Sequence, residues 1–163
     1  MVGFASRGGK DQLPCPCGGG RGAASYGACC APLHRQERDA ATAEQLMRSR
    51  YSAFALAEID HLLRTQPSEQ PEQVRRRSLT ATCRQLRWRR LEILATAAGG
   101  PDDLEGTVTF AAHYSANGRP GVLRECSRFG RTGGRPDGAW LYLEALDLSE
   151  DRPWDGGSGG PAP

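Results

Sequence analysis

The sequence predicts an α+β domain, helices first and an antiparallel sheet second, with a small cysteine-rich module on its N-terminal side. Three observations carry that reading. Apolar residues recur at helical spacing from Met47 onward, and four strand-like runs follow Arg87 with only short turn signals between them. Four of the six cysteines crowd into positions 15–30.

Residues 1–13 are expected to be a flexible leader. Residues 14–36 form the cysteine module, too short and glycine-rich for a core of its own. Thr42 and Gln45 read as a capping box, each side chain able to satisfy an orphan N–H of a new helix. Met47, Tyr51, Phe54, Ala55, Ile59, Leu62 and Leu63 then share one face, so this helix should run to about Thr65 and stop before Pro67. A second helix should follow Pro71, which suits a first turn, with Glu72 at the positive end of its dipole. Its apolar face is narrower: Leu79, Cys83 and Leu86.

After Arg87 the period changes. "RWRRLEILATA", "LEGTVTFAAHYSA", "GVLRECSRFGR" and "GAWLYLEALDL" are separated by "GGPD", "NGRPG" and "TGGRPDG". Such short connections leave no room for crossover helices, so the strands should pair antiparallel. Residues 40–149 thus form one domain, with helices on one face of a curved sheet. Trp88 and Trp140 belong to its core or pocket wall. The Gly/Pro-rich tail 150–163, with Trp154, is expected to be disordered.

Hydrophobic content of 38% and charged content of 25% fit a soluble globular chain. A net charge of +2 is too small to imply a polyanion partner. No stretch has the apolar length of a signal-peptide core or a membrane span, so a cytoplasmic protein without membrane association is expected. Thiols there stay reduced, and a tight cysteine cluster reads as a metal site and not as a disulfide framework.

Cys15 and Cys17 are two apart, and Cys29 and Cys30 are adjacent. Two such pairs joined by a glycine-laced loop can close on one tetrahedral ion, and a disulfide within either pair would be strained. Glycines 18, 19, 20, 22 and 27 let the loop turn tightly and aim N–H groups at the sulfurs. The four cysteines are the expected ligands, with His34 a contender for the place of Cys30. Thiolate donors favour zinc, with iron the alternative. Four protein ligands leave no position for substrate, so the ion would be structural, folding residues 14–34 and holding them against the main domain.

The phrase "PCPCGGG…YGACC" resembles the SEC-C motif, the small zinc-binding element at the C-terminus of the preprotein-translocase ATPase. With "ATAEQLMRSRYSAFALAEIDHLLRTQ", "GTVTFAAHY", "LRECSRFGR" and "GAWLY", the likeness over residues 14–146 extends to the YchJ-like family of bacterial proteins. The loop between Cys17 and Cys29 is longer than that family's, and Arg124 stands where relatives commonly carry histidine. The resemblance implies a cone-shaped domain like that of nuclear transport factor 2. It also implies a knuckle that contacts a protein partner, here around Arg21 to Tyr26, but brings no established activity.

Strand parity marks a second site. Leu123, Glu125, Ser127 and Phe129 share one strand face, so Glu125 would be buried in apolar company and need a partner. Arg48, Arg50 and the hydroxyls of Tyr51, Tyr114 and Tyr142 are the candidates. The arrangement reads either as a pocket with Glu125 as general base or ligand anchor, or as a buried ion pair fixing helix to sheet. His61 reads as a boundary residue, and His113 as lying on the wetter sheet face. Cys83 and Cys126 read as small apolar residues. Seven arginines between Arg75 and Arg90, with Trp88 among them, admit nucleic-acid contact, although a solvated helix face explains most of them. No GxSxG, Walker loop or dinucleotide fingerprint is present. The sequence therefore points to a zinc-binding accessory or interaction protein, with a small-molecule binder or enzyme centred on Glu125 as the alternative. The sequence does not identify its ligand.

Overall fold

The four strands expected after Arg87 form one antiparallel sheet in sequential order: β1 (Arg87–Ala98), β2 (Glu105–Ala116), β3 (Arg119–Arg131) and β4 (Trp140–Asp151). The computed structural model describes residues 7–19 and 24–151. Before the sheet come α1 (Arg7–Asp11), a single 3₁₀ turn (Tyr26–Ala28), α2 (Ala31–His34), α3 (Ala43–Leu56), α4 (Ile59–Arg64) and α5 (Glu72–Gln85). The α+β class holds.

Alternation places the inward face as parity required. Leu123, Glu125, Ser127 and Phe129 are buried on β3, as are Val108, Phe110, Ala112 and Tyr114 on β2. Register shifts leave Arg89 and Leu94 of β1, and Leu143 and Leu146 of β4, as extra residues opposite their partner strands. Such bulges bend a strand and increase its twist. They also explain two exposed leucines, Leu94 and Leu146, which sit at bulges and not in the alternating pattern.

Helix α3 lies across the inner face and touches β1, β2 and β4, while α4 and α5 pack behind it. Thr42 caps it by accepting the Gln45 N–H, and Gln45 returns a bond to the Ala41 N–H, one residue earlier than the standard box. The expected continuous helix to Thr65 is in fact two. Ala57 adopts the left-handed conformation at φ 57, closing α3, and α4 restarts at Ile59. Ala55, expected on the core face, is exposed, and Ala53 is buried there. Residues 7–13, read as leader, include α1, whose Lys10 pairs with Glu58 at 2.8 Å. The tail from residue 152, with Trp154, and the loop residues 20–23 lie outside the described residues.

The turn between β1 and β2 seats the helix. Gly99 O accepts the Ala43 N–H at 2.9 Å, and a Cβ on Gly106 would collide with the Gly99 backbone. Gly106→Ala should therefore destabilise the protein by about 1–3 kcal/mol, the usual cost of overpacking. A lowered denaturant midpoint at unchanged slope is the expected reading.

Candidate functional site

The cysteine module folds as a clasp. Pro14 bridges to Ser25, the Cys15 N–H reaches Ala24 O at 3.1 Å, and the Tyr26 N–H reaches Leu13 O at 2.8 Å. These bonds bring the two cysteine pairs face to face. Gly18 and Gly19 take positive φ, 81° and 78°, a region open to glycine at no steric cost, and the turn aims the Gly19 N–H at Cys17 Sγ, 3.3 Å away.

The four sulfurs of Cys15, Cys17, Cys29 and Cys30 lie within 4.8 Å of one another. Three of the separations are 3.6 Å (Cys17–Cys29), 3.8 Å (Cys29–Cys30) and 3.7 Å (Cys17–Cys30). A tetrahedral ion with metal–sulfur bonds of about 2.3 Å holds its sulfurs about 3.8 Å apart. The donor set fits such an ion. Cys15, Cys17 and Cys30 are buried, and Cys29 is half-buried. Without metal, the thiols compete for protons. Hydrogen bonds from Cys17 and Cys30 hold Cys15 far below the usual thiol range, while hydrogen bonds with Cys15 and Cys17 push Cys30 far above it. Burial, then the charge of its neighbours, raises Cys29 to about 12.

His34 is not the fourth member. Its Nε2 donates to Ser49 O and its Nδ1 faces the Tyr26 hydroxyl, both at 2.8 Å. It docks the clasp instead. Ser52 Oγ lies 3.4 Å from Cys15 Sγ and donates to Cys30 Sγ at 3.3 Å. Arg64 Nη2 donates to Leu33 O and His34 O, at 2.8 and 2.9 Å. Arg48, expected near Glu125, belongs here too: its Nη1 donates to Cys17 O at 2.9 Å while Glu44 holds its Nε. Tyr26, Ala31 and Leu33 join the same apolar core as Leu46 and Met47. The clasp is part of the domain. Ser49, Ser52 and Arg64 carry no motif that marks them in the sequence. The small hydroxyls three apart on α3 were the available signal.

His61 is buried, not a boundary residue, and its ring lies 4.7 Å from that of His34. Ser49 spends its own proton on Leu46 O, so His61 Nε2 donates to Ser49 Oγ (2.9 Å) and Nδ1 accepts from Arg64 (3.0 Å). Burial first, then the neighbouring positive groups, lowers its pKa to about 2. His113 lies on the outer face, paired with Glu92 at 2.7 Å. Cys83 and Cys126 are half-buried thiols.

Inside the cone, Glu125 is 2% exposed. Its Oε1 accepts from Ser127 Oγ (2.6 Å) and Tyr142 OH (2.8 Å). Arg50 is equally buried but makes no ion pair with it. Its guanidinium stacks over the Tyr142 ring at 4.9 Å and donates to Leu62 O, Thr65 Oγ1 and Gln66 Oε1. Burial raises the Glu125 pKa against the pull of these hydroxyls and of Arg50. Tyr51, Arg50, Glu125 and Tyr142 line a cavity of ≈ 20 Å³ together with Met47, Phe54, Trp88, Phe110 and Ala112. That is room for about one water. Among the arginines of α5 and β1, Arg75 caps α4 through Leu63 O and Gln66 O, and Arg76 pairs with Asp60 and Glu72. Among the described residues no helix is long and apolar enough to cross a membrane.

A family model described as "YchJ, middle NTF2-like domain" matches residues 42–145. A UPF0225 protein of Geobacter sulfurreducens is 39% identical over 134 residues, 82% of this chain and 79% of that one. Another, from Streptomyces coelicolor, is 44% identical over 132 residues, 80% of this chain and 93% of that one. Among solved structures, a SEC-C motif containing protein from Rhodopseudomonas palustris is similar at TM-score 0.63 and 30% identity, covering 79% of this chain and 96% of that one. A SEC-C motif containing protein from Psychrobacter arcticus shares the fold at TM-score 0.70 and 24% identity, over 83% of this chain and 82% of that one.

Proposed function

This chain belongs to the YchJ family, with its nuclear-transport-factor-2-like middle domain, and on that premise we propose that it is a zinc-anchored accessory protein of the cytoplasm that engages a protein partner. The observation that carries the proposal is the set of four sulfurs at tetrahedral spacing. Cys15, Cys17, Cys29 and Cys30 would hold the ion, and all-thiolate donors suit zinc. Four protein ligands close the coordination shell, which supports a structural role. The Gly19 N–H and the Ser52 hydroxyl would neutralise part of the charge on the sulfurs.

The interior supports the same reading over a small-molecule enzyme. A ≈ 20 Å³ cavity encloses no more than a water-sized group beside Glu125. The resemblance to the translocase knuckle supports a protein partner, and the clasp, docked on α3 and α4 through Ser49, Ser52 and Arg64, would present it. Native mass spectrometry of protein purified under reduction without chelator should show one zinc per chain. A pull-down should retain a protein that chelated material does not. A metal-free chain that takes up no zinc overturns the metal. An identical set of retained proteins with and without zinc overturns the partner role.

A further inference from the structure

Two buried side-chain atoms have no hydrogen-bond partner among the described residues: Glu125 Oε2 and Trp88 Nε1. Both residues line the same ≈ 20 Å³ cavity. An unmet buried polar group is costly, and native structures rarely leave one so. Two around one space call for a shared guest.

Among the described residues, the hydrogen-bonding groups nearest Glu125 are already committed elsewhere. The hydroxyls of Ser127 and Tyr142 both go to Oε1. Arg50 commits its terminal nitrogens to Leu62, Thr65 and Gln66. Protonation does not help, because an ionised Oε2 lacks a donor and a protonated one lacks an acceptor. The indole is also held in place. Tyr51, Phe54 and Tyr114 surround it at ring-centre distances of 5.7, 6.1 and 5.6 Å. The extra residue Arg89 beside it lets Trp88 point inward at the very start of β1.

We propose that this cavity is a binding site for one hydroxyl group, which accepts the Trp88 N–H and hydrogen-bonds to Glu125 Oε2. The chemistry narrows the guest. A bare cation cannot accept from the indole, a simple anion cannot donate to an ionised carboxylate, and an apolar guest leaves both atoms unmet. A hydroxyl does both. The volume matches a single water, and the alcohol end of a small organic ligand presents the same group. The site is independent of the metal and links β1 to β3 beneath α3.

Water-selected NMR on the zinc-loaded, ¹⁵N-labelled chain tests it. The Trp88 indole proton should show a direct cross-peak to a long-lived water. Cross-peaks to non-exchangeable ligand protons, matched by an organic mass retained in the native spectrum, would instead assign the hydroxyl to a ligand. Either result upholds the site. Glu125→Gln should keep the cross-peak and Glu125→Leu should lose it. An indole proton in the wild-type protein with neither cross-peak, exchanging as freely as an exposed tryptophan, overturns the proposal whether or not the variants fold.

Discussion

Cys17→Ser should abolish metal binding and lower the thermal midpoint by more than roughly 10 °C, because the proposed metal would hold part of the domain's own core. Cys17 is fully buried, and Cys15, Cys30, Tyr26, Ala31 and Leu33 pack in one cluster with Leu46, Met47 and Tyr51 of α3. Unfolding the clasp would strip one side of α3 of apolar cover and cut the bonds from Arg48, Ser49, Ser52 and Arg64. Structural zinc contributes about 10–16 kcal/mol of apparent binding free energy at neutral pH, and even a third of that translates into a shift of this size. Acid should weaken binding, since each thiol must shed its proton to reach the ion and the metal-free cluster holds Cys29 and Cys30 protonated well above neutrality. Differential scanning fluorimetry beside native mass spectrometry measures both. Cys83→Ser, remote from the cluster, serves as the control. A variant that loses zinc yet melts with the wild type would show that the metal is not a structural support.

The sheet and the thiol cluster were legible because their signals are local. Alternation through Leu123, Glu125, Ser127 and Phe129 named the inner face without knowledge of any partner strand, and a glycine-spaced pair of cysteine pairs has few physical uses. What escaped depends on contacts between distant residues. Nothing in "ALAEID" marks a helix break. Yet α3 ends at Ala57 while Glu58 meets Lys10 and Tyr26, 48 and 32 residues earlier in the chain. Arg48, expected beside Glu125, reaches Cys17 O instead, a contact between residues 31 apart in the chain. His34 likewise had ligand spacing, but α2 turns its ring toward Ser49. That the Glu125 carboxylate is buried followed from parity. That Glu125 and Trp88 line one cavity depends on a bulge at Arg89 that no turn signal announces.

Between about pH 6.5 and pH 5 the protein should lose about 2 kcal/mol of stability through His61 alone, since one buried, neutral histidine costs about 1.4 kcal/mol per pH unit as the unfolded chain takes up a proton. The sign follows from the direction of the shift. His61 is depressed to about 2, so the folded protein keeps it neutral while the unfolded chain protonates it below 6.5, and stability present above that pH is lost on acidification. The cause is visible around the ring. Nε2 already donates to Ser49, and Nδ1 accepts from Arg64, so an added proton would point at a guanidinium with Arg50 and His34 close by, opposed only by the Leu33 carbonyl. His34 is also depressed, by burial, but its added proton has an outlet: it would face the Tyr26 oxygen, whose own hydrogen can turn to Glu58 Oε1 at 3.3 Å. The steeper penalty therefore belongs to His61. His61→Gln, which keeps a donor toward Ser49 and cannot titrate, should flatten the acid limb relative to wild type when both are compared in the same metal-bound state. Equal pH slopes for the two would mean that the ring is not held neutral by its surroundings.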